Sequence, residues 1–436
     1  MSNNSNTLIH TFKHLLTSIY RKGFFHLLTA NFTIQIVGFL SQLFVAWLVS
    51  PEDMGRIKIM QAYTTIAAIV AGLGFNTSVL KLCSEKRTLE EKRALFNNAV
   101  RFTLIATLLT ASGIIVCALT GIISPDTTLN YYFLLYTIAL IPIAFNRILT
   151  AYLQALKKIK ELANIQMITK LTGLGMIVLL TYFFGMEGFI GGIIFAFGLT
   201  SIFFIRKIRS LHKGLNPFSG IKNPLKIHWS LAKFAFSSNV ITQVSVFLDL
   251  ILINYLIVDR AAVGYYSFAL TLLVALQLIT ITVQQIAIPY FSEKGSDFKE
   301  WLRVFKKYYL LFLILSTLIT ALALFISPTL IKFAFAGKYD ASIPFLNIFI
   351  ISWFIRNLYS FVGPALIGLG KLNINFYNAV IVLLASILPY YYLMNNYDIL
   401  GAAYGNVASK IIACAVIGIS FFIVVSKKSK DQTKAI

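Results

Sequence analysis

Residues 84–111 read SEKRTLEEKRALFNNAVRFTLIATLLTA, and residues 292–321 read SEKGSDFKEWLRVFKKYYLLFLILSTLITA. In both stretches a charged segment turns abruptly into an apolar run. Other matches recur along the chain at an offset of 209 residues, and they pair Gly55 with Gly264, Glu91 with Glu300, Phe96 with Phe305 and Arg147 with Arg356. This recurring offset predicts that the chain consists of two related halves.

The composition is typical of an integral membrane protein. Hydrophobic residues make up 58% of the 436 residues, charged residues make up 12%, and the mean hydropathy is +0.79. Soluble domains average about 45–50% apolar and about 25% charged residues. Long continuous apolar runs indicate helices, because the strands of outer-membrane barrels alternate in polarity over about ten residues. We therefore expect an all-α membrane protein without a sizeable soluble domain.

Hydropathy windows of about 19 residues predict twelve spans. They lie at 27–50, 59–80, 98–122, 131–154, 166–184, 188–205, 234–258, 263–290, 308–327, 341–366, 373–394 and 401–425. Each half of the repeat contains six spans, an even number, so both halves enter the membrane from the same side. The expected fold is two six-helix lobes related by a parallel pseudo-two-fold repeat, with the cargo site between them.

The predicted organisation has five parts. Residues 1–22 form a cytoplasmic amphipathic segment, 23–205 the N-lobe, 206–233 a cytoplasmic linker, 234–425 the C-lobe and 426–436 a basic cytoplasmic tail. Of the 38 Lys and Arg residues, 29 lie on the side that holds both termini, which the positive-inside rule assigns to the cytoplasm. Lys58 is among the few assigned to outward loops. The net charge of +22 is dispersed over short loops, so a nucleic-acid-binding module is not expected.

Five ionisable residues that fall inside predicted spans are candidates for a functional path: Arg147, Lys170, Asp249, Arg356 and Lys410. Such residues are costly in a bilayer and usually face a cavity. Lys170 is near the end of its span and could instead extend its amine to the interface. Four basic groups against one acidic group leave a positive surplus, which suits an anionic cargo. Arginine in particular can bind two phosphate oxygens at once.

We therefore hypothesise that one arginine from each half grips a phosphate-bearing cargo. Six residues are candidates for substrate binding, namely the two arginines, the asparagine beside each and two lysines: Arg147, Arg356, Asn146, Asn357, Lys170 and Lys410. Asp249 has no acidic counterpart in the first half, and a partly desolvated carboxylate can take up a proton or bind sodium. It is the candidate site for a coupling ion, with a structural ion pair to Arg356 or Lys410 as the alternative.

Motifs for enzymatic activity are missing from the sequence. It has no phosphate-binding Gly-x4-Gly-Lys-Ser/Thr loop and no Asp-x-Asp. Ser230 and Lys233 match Ser-x-x-Lys but lack the companion motifs. His10 and His14 have no third ligand nearby. We predict a transporter that is not an enzyme and has no cofactor and no metal site.

Residues 43–81 (LFVAWLVSPEDMGRIKIMQAYTTIAAIVAGLGFNTSVLK) resemble a signature of the polysaccharide-exporter family, the O-antigen flippases. These belong to the multidrug, oligosaccharidyl-lipid and polysaccharide exporter superfamily. Residues 248–272 (LDLILINYLIVDRAAVGYYSFALTL) resemble its helix 7 to 8 region, and 365–381 and 397–411 resemble its helix 10 to 12 pattern. The resemblance covers nearly the whole chain.

The resemblance implies a MATE-like fold and a flippase. The cargo would be an undecaprenyl-diphosphate-linked oligosaccharide, such as an O-antigen unit, moved from the cytoplasmic to the periplasmic leaflet of a bacterial inner membrane. It also implies ion-coupled antiport and a cationic lumen, which carries over to Arg147, Arg356 and Lys410 and less directly to Lys170 and Asp249. The implied partners are the lipid-linked oligosaccharide, membrane lipid, a proton or sodium counter-ion and a polysaccharide polymerase.

Four alternatives make different demands on the sequence. A drug exporter of the same superfamily would need acidic residues in its cavity, whereas this chain is basic there. An O-antigen polymerase or ligase would need a large periplasmic loop with catalytic groups, and the predicted outward loops are short. A major-facilitator symporter would need a Gly-x3-Asp-x2-Gly-Arg-Lys/Arg loop, which is absent. A duplicated scaffold that transports nothing would have no reason to keep ionisable residues at mid-membrane.

Overall fold

The computed structural model describes residues 24–216, 220–293, 298–369 and 372–434, so the predicted amphipathic segment 1–22 lies outside the described residues. The described residues form helices joined by short loops, with no strand among them. The helices are α1 (Phe24–Leu48), α2 (Pro51–Gly72), α3 (Phe75–Ser84), α4 (Leu89–Leu119), α5 (Thr127–Ala155), α6 (Ile159–Leu211), α7 (Pro224–Val246), α8 (Leu248–Leu256), α9 (Arg260–Glu293), α10 (Phe298–Phe335), a 3-10 turn (Asp340–Ser342), α11 (Ile343–Tyr359), α12 (Val362–Gly368) and α13 (Leu372–Lys434).

By their length and composition, these helices provide for twelve membrane crossings within the described residues. Seven helical segments are long and apolar enough to span a bilayer, and the bent pairs α2/α3 (47°) and α7/α8 (53°) add two more. Helices α6 and α13 contain 53 and 63 residues, far more than the roughly 20 that one crossing needs. Each is interrupted near its middle by a residue with non-helical backbone angles, Gly185 or Asp398, and therefore crosses twice. With α1 the total is twelve, which confirms the predicted fold class.

The two parts of α6 form a tight antiparallel hairpin. A Cβ atom on Gly188 would lie 1.9 Å from the carbonyl oxygen of Leu180, and one on Gly192 would lie 2.6 Å from the Cα atom of Ile177. The residue numbers rise along one arm of the hairpin as they fall along the other, so the chain reverses at Gly185. Small residues allow this close approach, as is common between membrane helices.

The second half repeats the first. Helix α9 begins 209 residues after α2, and α10 begins 209 residues after α4, which is the offset of the sequence repeat. The 3-10 turn begins after α5, and α13 begins after α6, by a slightly larger offset that is the same for both. The reversal in α13, at Asp398, follows Gly185 by this same larger offset. There the carbonyl oxygen of Leu393 would lie 1.9 Å from a Cβ atom on Gly401. The predicted two-fold repeat is therefore present in the helices themselves.

We call the end of the bundle where α2 begins the Pro51 end, and the end where α3 finishes the Ser84 end. At the Pro51 end, α2 and α9 pack together through Gly55 and Gly264, the pair related by the sequence repeat. A Cβ atom on Gly264 would lie 1.8 Å from the Pro51 carbonyl oxygen, and one on Gly55 would lie 3.0 Å from the Gly264 nitrogen. The pseudo-two-fold axis therefore passes between these two glycines.

Two loops join the halves on either side of this axis. In the α4–α5 loop, the Ser124 hydroxyl donates to the Asn254 Oδ1 atom (2.7 Å), and the Tyr255 hydroxyl donates to the carbonyl oxygen of Ile122 (3.0 Å). In the loop after α10, the Lys338 ammonium donates to carbonyl oxygens at the end of α1, including that of Trp47 (2.9 Å). Both loops therefore hold the Pro51 end closed.

Helix α2 begins eight residues before the predicted span 59–80. The Ser50 hydroxyl accepts a hydrogen bond from the Asp53 backbone N–H (3.1 Å), and proline occupies the first helical position. Acidic residues in the first turn complement the helix dipole. The prediction that Lys58 belongs to an outward loop is wrong, because Lys58 lies inside α2.

The segment between the halves is partly helical. Helix α6 continues to Leu211, and α7 begins at Pro224, so helices cover both ends of the predicted linker 206–233. His228 of α7 is buried, with its Nδ1 atom 2.7 Å from the Ser78 hydroxyl and its Nε2 atom 3.1 Å from the Leu95 carbonyl oxygen. The first turns of α7 therefore pack against the first half. Helix α13 continues to Lys434, over the segment predicted as a basic tail.

Candidate functional site

A cavity of about 930 Å³ lies in the first half, on the side that faces the second half. Most of its wall comes from α1, α2, α5 and α6, and the second half adds a small surface that includes Phe247, Leu250 and Gln277. The contacts at the Pro51 end close it on that side. The volume lies within the range of ligand pockets, about 300–1,000 Å³.

Three cations line the cavity: Lys58 from α2, Arg147 from α5 and Lys170 from α6. None of the described lining residues is acidic. The Lys58 ammonium donates to the Gln42 side-chain oxygen, and the Lys170 ammonium lies 5.5 Å from the centre of the Phe197 ring. Within the described part of the chain, the half-buried Arg147 guanidinium has no hydrogen bond or ion pair. The cavity therefore offers positive charge that the protein itself does not neutralise.

The rest of the polar wall is neutral. Seven amide side chains contribute to it: Gln42, Gln61, Asn76, Asn146, Gln154, Gln166 and Gln277. Threonine hydroxyls add further donors and acceptors. Amides and hydroxyls both donate and accept hydrogen bonds, as sugar hydroxyls do. The wall therefore combines groups suited to an anion with groups suited to a polyhydroxylated molecule.

The cations lie at two depths. Two contacts place α2 beside α5, and each joins residues 70 apart: Arg56 with Asp126 (3.0 Å) and Tyr63 with Phe133 (5.5 Å between ring centroids). Lys58 lies seven residues after the start of α2, and Arg147 lies twenty residues after the start of α5 at the same end. Lys58 is therefore about 20 Å along the helix path nearer the Pro51 end than Arg147.

Arg147 and Lys170 lie at a similar level, because Phe197 on the second part of α6 contacts both Lys170 and the residue that precedes Arg147. Asn146, which precedes Arg147, donates through Nδ2 to the Phe197 carbonyl oxygen (2.9 Å). Lys170 lies over the ring of the same phenylalanine. These two cations form a pair toward the Ser84 end, whereas Lys58 is alone at the closed end.

Asn146 itself positions helices. Its Nδ2 atom donates to Phe197, and its Oδ1 atom accepts from the Ser201 hydroxyl (2.9 Å). It lines the cavity and is 8% exposed, but both ends of its amide are engaged with α6. It therefore fixes Arg147 against α6.

The second-half candidates lie elsewhere. Arg356, Lys410 and Asn357 are not among the described residues that line the cavity. Asn357 is fully buried, accepts from Thr280 (3.2 Å) and donates to Ser316 (3.2 Å). In this conformation, then, the structure brings together Arg147, Lys170 and Asn146 but does not place a second arginine opposite them.

Asp249 is enclosed within the second half and is 3% exposed. Its carboxylate accepts from the Tyr266 hydroxyl (2.7 Å) and from the Leu250 backbone N–H (2.8 Å), and Asn406 is a further hydrogen-bond partner. The charge of Lys410 acts on it from nearby. Leu250, the next residue, lines the cavity. Asp249 thus sits directly behind the cavity wall.

The closed end contains an ionic cluster centred on Asp126, the N-cap of α5. Its carboxylate contacts Arg56 (3.0 Å) and Arg260 (3.5 Å) and accepts from the Thr128 and Leu129 backbone N–H groups. Burial alone would raise the pKa of Asp126, but the hydrogen bond and charge of Arg56, with these other groups, hold that pKa below its ordinary value. The carboxylate is therefore ionised at neutral pH.

Sequence reasoning missed Lys58. The signal that could have found it is Ser50-Pro-Glu-Asp, an N-cap followed by proline and acids, which marks a helix start at Pro51. The hydropathy window began the span at residue 59 because these polar residues lower its mean. In the part of the chain that the structure describes, no group of three or more His, Cys, Asp and Glu side chains could hold a metal ion.

Comparison with known proteins finds a matching family and several structures of similar fold. The sequence pattern of a family described as "Polysaccharide biosynthesis protein" matches residues 20–294. A "Putative O-antigen transporter" of Shigella flexneri is 28% identical over 171 residues, which are 38% of this chain and 40% of that relative. The aligned part thus spans less than half the relative's length.

Two solved structures share the fold. The lipid II flippase MurJ in an inward closed conformation has a TM-score of 0.74 at 17% identity, with 93% of this chain and 90% of that chain covered. The inward-facing conformation of a multidrug resistance MATE family transporter of the MOP superfamily has a TM-score of 0.71 at 16% identity, with coverages of 91% and 96%. The expected MATE-like fold is confirmed.

Proposed function

This chain belongs to the polysaccharide biosynthesis protein family, and on that premise we propose that it is a flippase for a lipid-linked oligosaccharide. The observation that carries the proposal is a cavity, walled mostly by the first lobe and partly by the second, that presents three cations and, among its described residues, no carboxylate. The likeness to a putative O-antigen transporter and to the lipid II flippase MurJ supports it. In this proposal the protein moves its cargo without changing it chemically.

The cargo we propose is an undecaprenyl-diphosphate-linked glycan, such as an O-antigen unit. Arg147 and Lys170 would bind the diphosphate, because they lie at a similar depth and Arg147 has no partner in the described part of the protein. The planar guanidinium can bind two phosphate oxygens, and the ammonium adds a point charge. The amide side chains would hydrogen-bond the sugars while the polyprenyl tail stays in lipid.

The proposed location is a bacterial inner membrane, with both termini in the cytoplasm. The surplus of Lys and Arg on the side of the termini supports this orientation. It makes the Ser84 end cytoplasmic and the Pro51 end periplasmic. The cavity, closed at the Pro51 end, would then receive cargo from the cytoplasmic leaflet, and a polysaccharide polymerase would use the product on the other side.

Transport requires the halves to rock against each other. The contacts at Gly55 and Gly264 and the two loops beside them would open, and the Ser84 end would close. Arg356 and Lys410 remain proposed ligands of the cargo from the second half, because the two cations are close enough for the charge of Arg356 to act on Lys410 and only Lys410 also feels the charge of Asp249. They would engage the cargo in the conformation open at the Pro51 end.

The proposal also includes coupling of transport to an ion gradient. Asp249 is the proposed site for a proton or sodium ion, since it is buried directly behind the cavity wall with neutral hydrogen-bond partners. Protonation would change its bond with Tyr266, which packs against α11 through Phe345 and Phe349. We expect Asp249→Asn to flip cargo without a dependence on the ion gradient.

The proposal is tested by flipping in proteoliposomes. Purified protein is reconstituted, and movement of an undecaprenyl-diphosphate oligosaccharide to the far leaflet is measured with a membrane-impermeant glycosidase. Arg147→Gln combined with Lys170→Gln should lower the rate at least about tenfold, because two charged contacts are lost. Lys81→Gln, an exposed lysine outside the cavity, is the matched control and should flip normally. A wild-type rate in the double variant would contradict the proposed grip.

A further inference from the structure

Lys58 does not take part in the proposed binding of the diphosphate. It lies several helical turns nearer the Pro51 end than Arg147, in the half of the cavity that is closed. We propose that Lys58 binds an anionic group on the glycan itself, so that the cargo is an acidic oligosaccharide. This inference rests on the proposed function and adds the class of sugar that the cavity selects.

The charges of the cavity support an acidic glycan. A diphosphate esterified at both ends carries one negative charge on each phosphate, which Arg147 and Lys170 together match. Lys58 is then a third positive charge, and no described residue of the wall is acidic. A charged amine held inside a membrane protein is costly unless something compensates it. A carboxylate on the cargo would provide that compensation.

The position of Lys58 determines which part of the cargo it meets. The lipid tail keeps the diphosphate near the membrane surface at which the cargo enters, where Arg147 and Lys170 lie. The sugars then extend away from that surface, toward the Pro51 end. Gln61 lies one helical turn from Lys58 and also lines the cavity. The far sugars of the glycan therefore meet Lys58 beside a neutral amide.

The one hydrogen-bond partner of Lys58 in the described residues is neutral. Its ammonium donates to the Gln42 side-chain oxygen on α1, which leaves two of its three donors for a ligand. A lysine that served only to join α1 to α2 would need no charge, since a glutamine could make the same bond. The role in joining the helices and the role in selecting the cargo can therefore be separated by substitution.

The test compares two cargoes in the same proteoliposome assay. Both are undecaprenyl-diphosphate trisaccharides, and they differ only in the terminal sugar, which is glucuronic acid in one and glucose in the other. We expect wild-type protein to flip the acidic cargo about tenfold faster at limiting concentration, which corresponds to ~1.4 kcal/mol. Lys58→Gln should bring the ratio of the two rates close to one, and Lys58→Arg should preserve it.

The outcomes separate the two proposals. Equal rates for both cargoes in wild-type protein would overturn the role of Lys58 and leave the flippase proposal standing, and this comparison needs no variant. A ratio that survives in a folded Lys58→Gln protein, as judged by its melting temperature, would also overturn it. If wild-type protein flips neither cargo, the proposed function fails, and the inference about the glycan fails with it.

Discussion

Asp126 is a single carboxylate that touches both halves of the protein. It contacts Arg56 of the first half and Arg260 of the second, and its side chain is 9% exposed. Its pKa is held below the ordinary value by Arg56 and the groups around it, against the opposing effect of burial. The ionised form therefore stabilises the folded protein with the Pro51 end closed.

This predicts a dependence of stability on pH. Because the pKa of Asp126 is lower in the folded state, its charge contributes to the free energy of unfolding. This contribution is complete above the pKa of the unfolded state, about 3.9, and is lost as the pH falls through the pKa of the folded state. Asp126→Asn keeps an N-cap but removes the charge, so we expect a loss of about 1–2 kcal/mol at pH 7. The difference in melting temperature between wild type and variant should shrink below about pH 4.

Asp53→Asn is the control for Asp126. Asp53 also contacts Arg56 (3.0 Å), but it lies on the same helix and is 26% exposed. Its substitution should cost less than that of Asp126, because it does not join the halves and solvent screens it. If the Asp126→Asn difference were the same at pH 3 as at pH 7, the assigned charge effect would be refuted.

At the scale of elements, both long helices reverse direction at one residue. Gly185 in α6 has φ 56° and ψ −130°, and Asp398 in α13 has φ 52° and ψ −135°. Glycine adopts such angles without a steric cost, whereas a residue with a Cβ atom is strained there. At equivalent turns, the first half thus has a residue that adopts these backbone angles without strain, and the second half has one that is strained.

Exchanging the residue types at these turns should shift stability in opposite directions. Asp398→Gly is expected to raise the free energy of unfolding by about 1 kcal/mol, because it relieves backbone strain. Gly185→Ala is expected to lower it by about the same amount. Melting temperatures in one detergent would measure both. A lower melting temperature for Asp398→Gly would show that the aspartate makes a compensating interaction.

The hairpin in α6 depends on close helix contact. Gly188→Ala would place a Cβ atom 1.9 Å from a backbone oxygen, so the two helices must separate. We expect a loss of about 2–4 kcal/mol. Gly198→Ala is the matched control in the same helix, since nothing lies within 4 Å of its Cβ position, and it should be neutral or slightly stabilising. Equal melting temperatures of the two variants would contradict the packing described here.

In the molecule as a whole, loops at the Pro51 end join the two halves. Three backbone oxygens at the end of α1 accept hydrogen bonds from the Lys338 ammonium, and Tyr339 donates to one of them. A cation at a helix C-terminus also interacts favourably with the helix dipole. Lys338 therefore favours the closed state of this end.

Removing this cation should favour opening. In Lys338→Met, we expect a cysteine at position 124 to react with a maleimide about fivefold faster than in the parent, because Ser124 is 1% exposed when the end is closed. Lys332→Met, at an exposed lysine of the preceding helix, is the control. Unchanged labelling in Lys338→Met would mean that this loop does not set the equilibrium.

The sequence predicted the fold well because hydropathy and the repeat report on long-range order. The spans follow from the apolar runs, and their pairing follows from the sequence repeat. Both patterns are visible in the sequence without knowledge of the packing. The cavity was harder to predict, since depth and direction of a side chain depend on how helices bend and pack. Lys58 was assigned to a loop, and Asn357, expected beside the cargo, has its amide bonded to Thr280 and Ser316 inside the second half.

In the proposed mechanism, cargo crosses when the Pro51 end opens, and a reversible cross-link across that end tests this step. Cysteines at positions 124 and 254, whose present side chains are in contact, are introduced after Cys83, Cys117 and Cys414 are replaced by alanine. We predict that oxidation or a short bis-maleimide stops flipping of the lipid-diphosphate oligosaccharide, and that reduction of the disulfide restores it. Flipping at the unlinked rate in fully cross-linked protein would show that cargo crosses without opening of the Pro51 end.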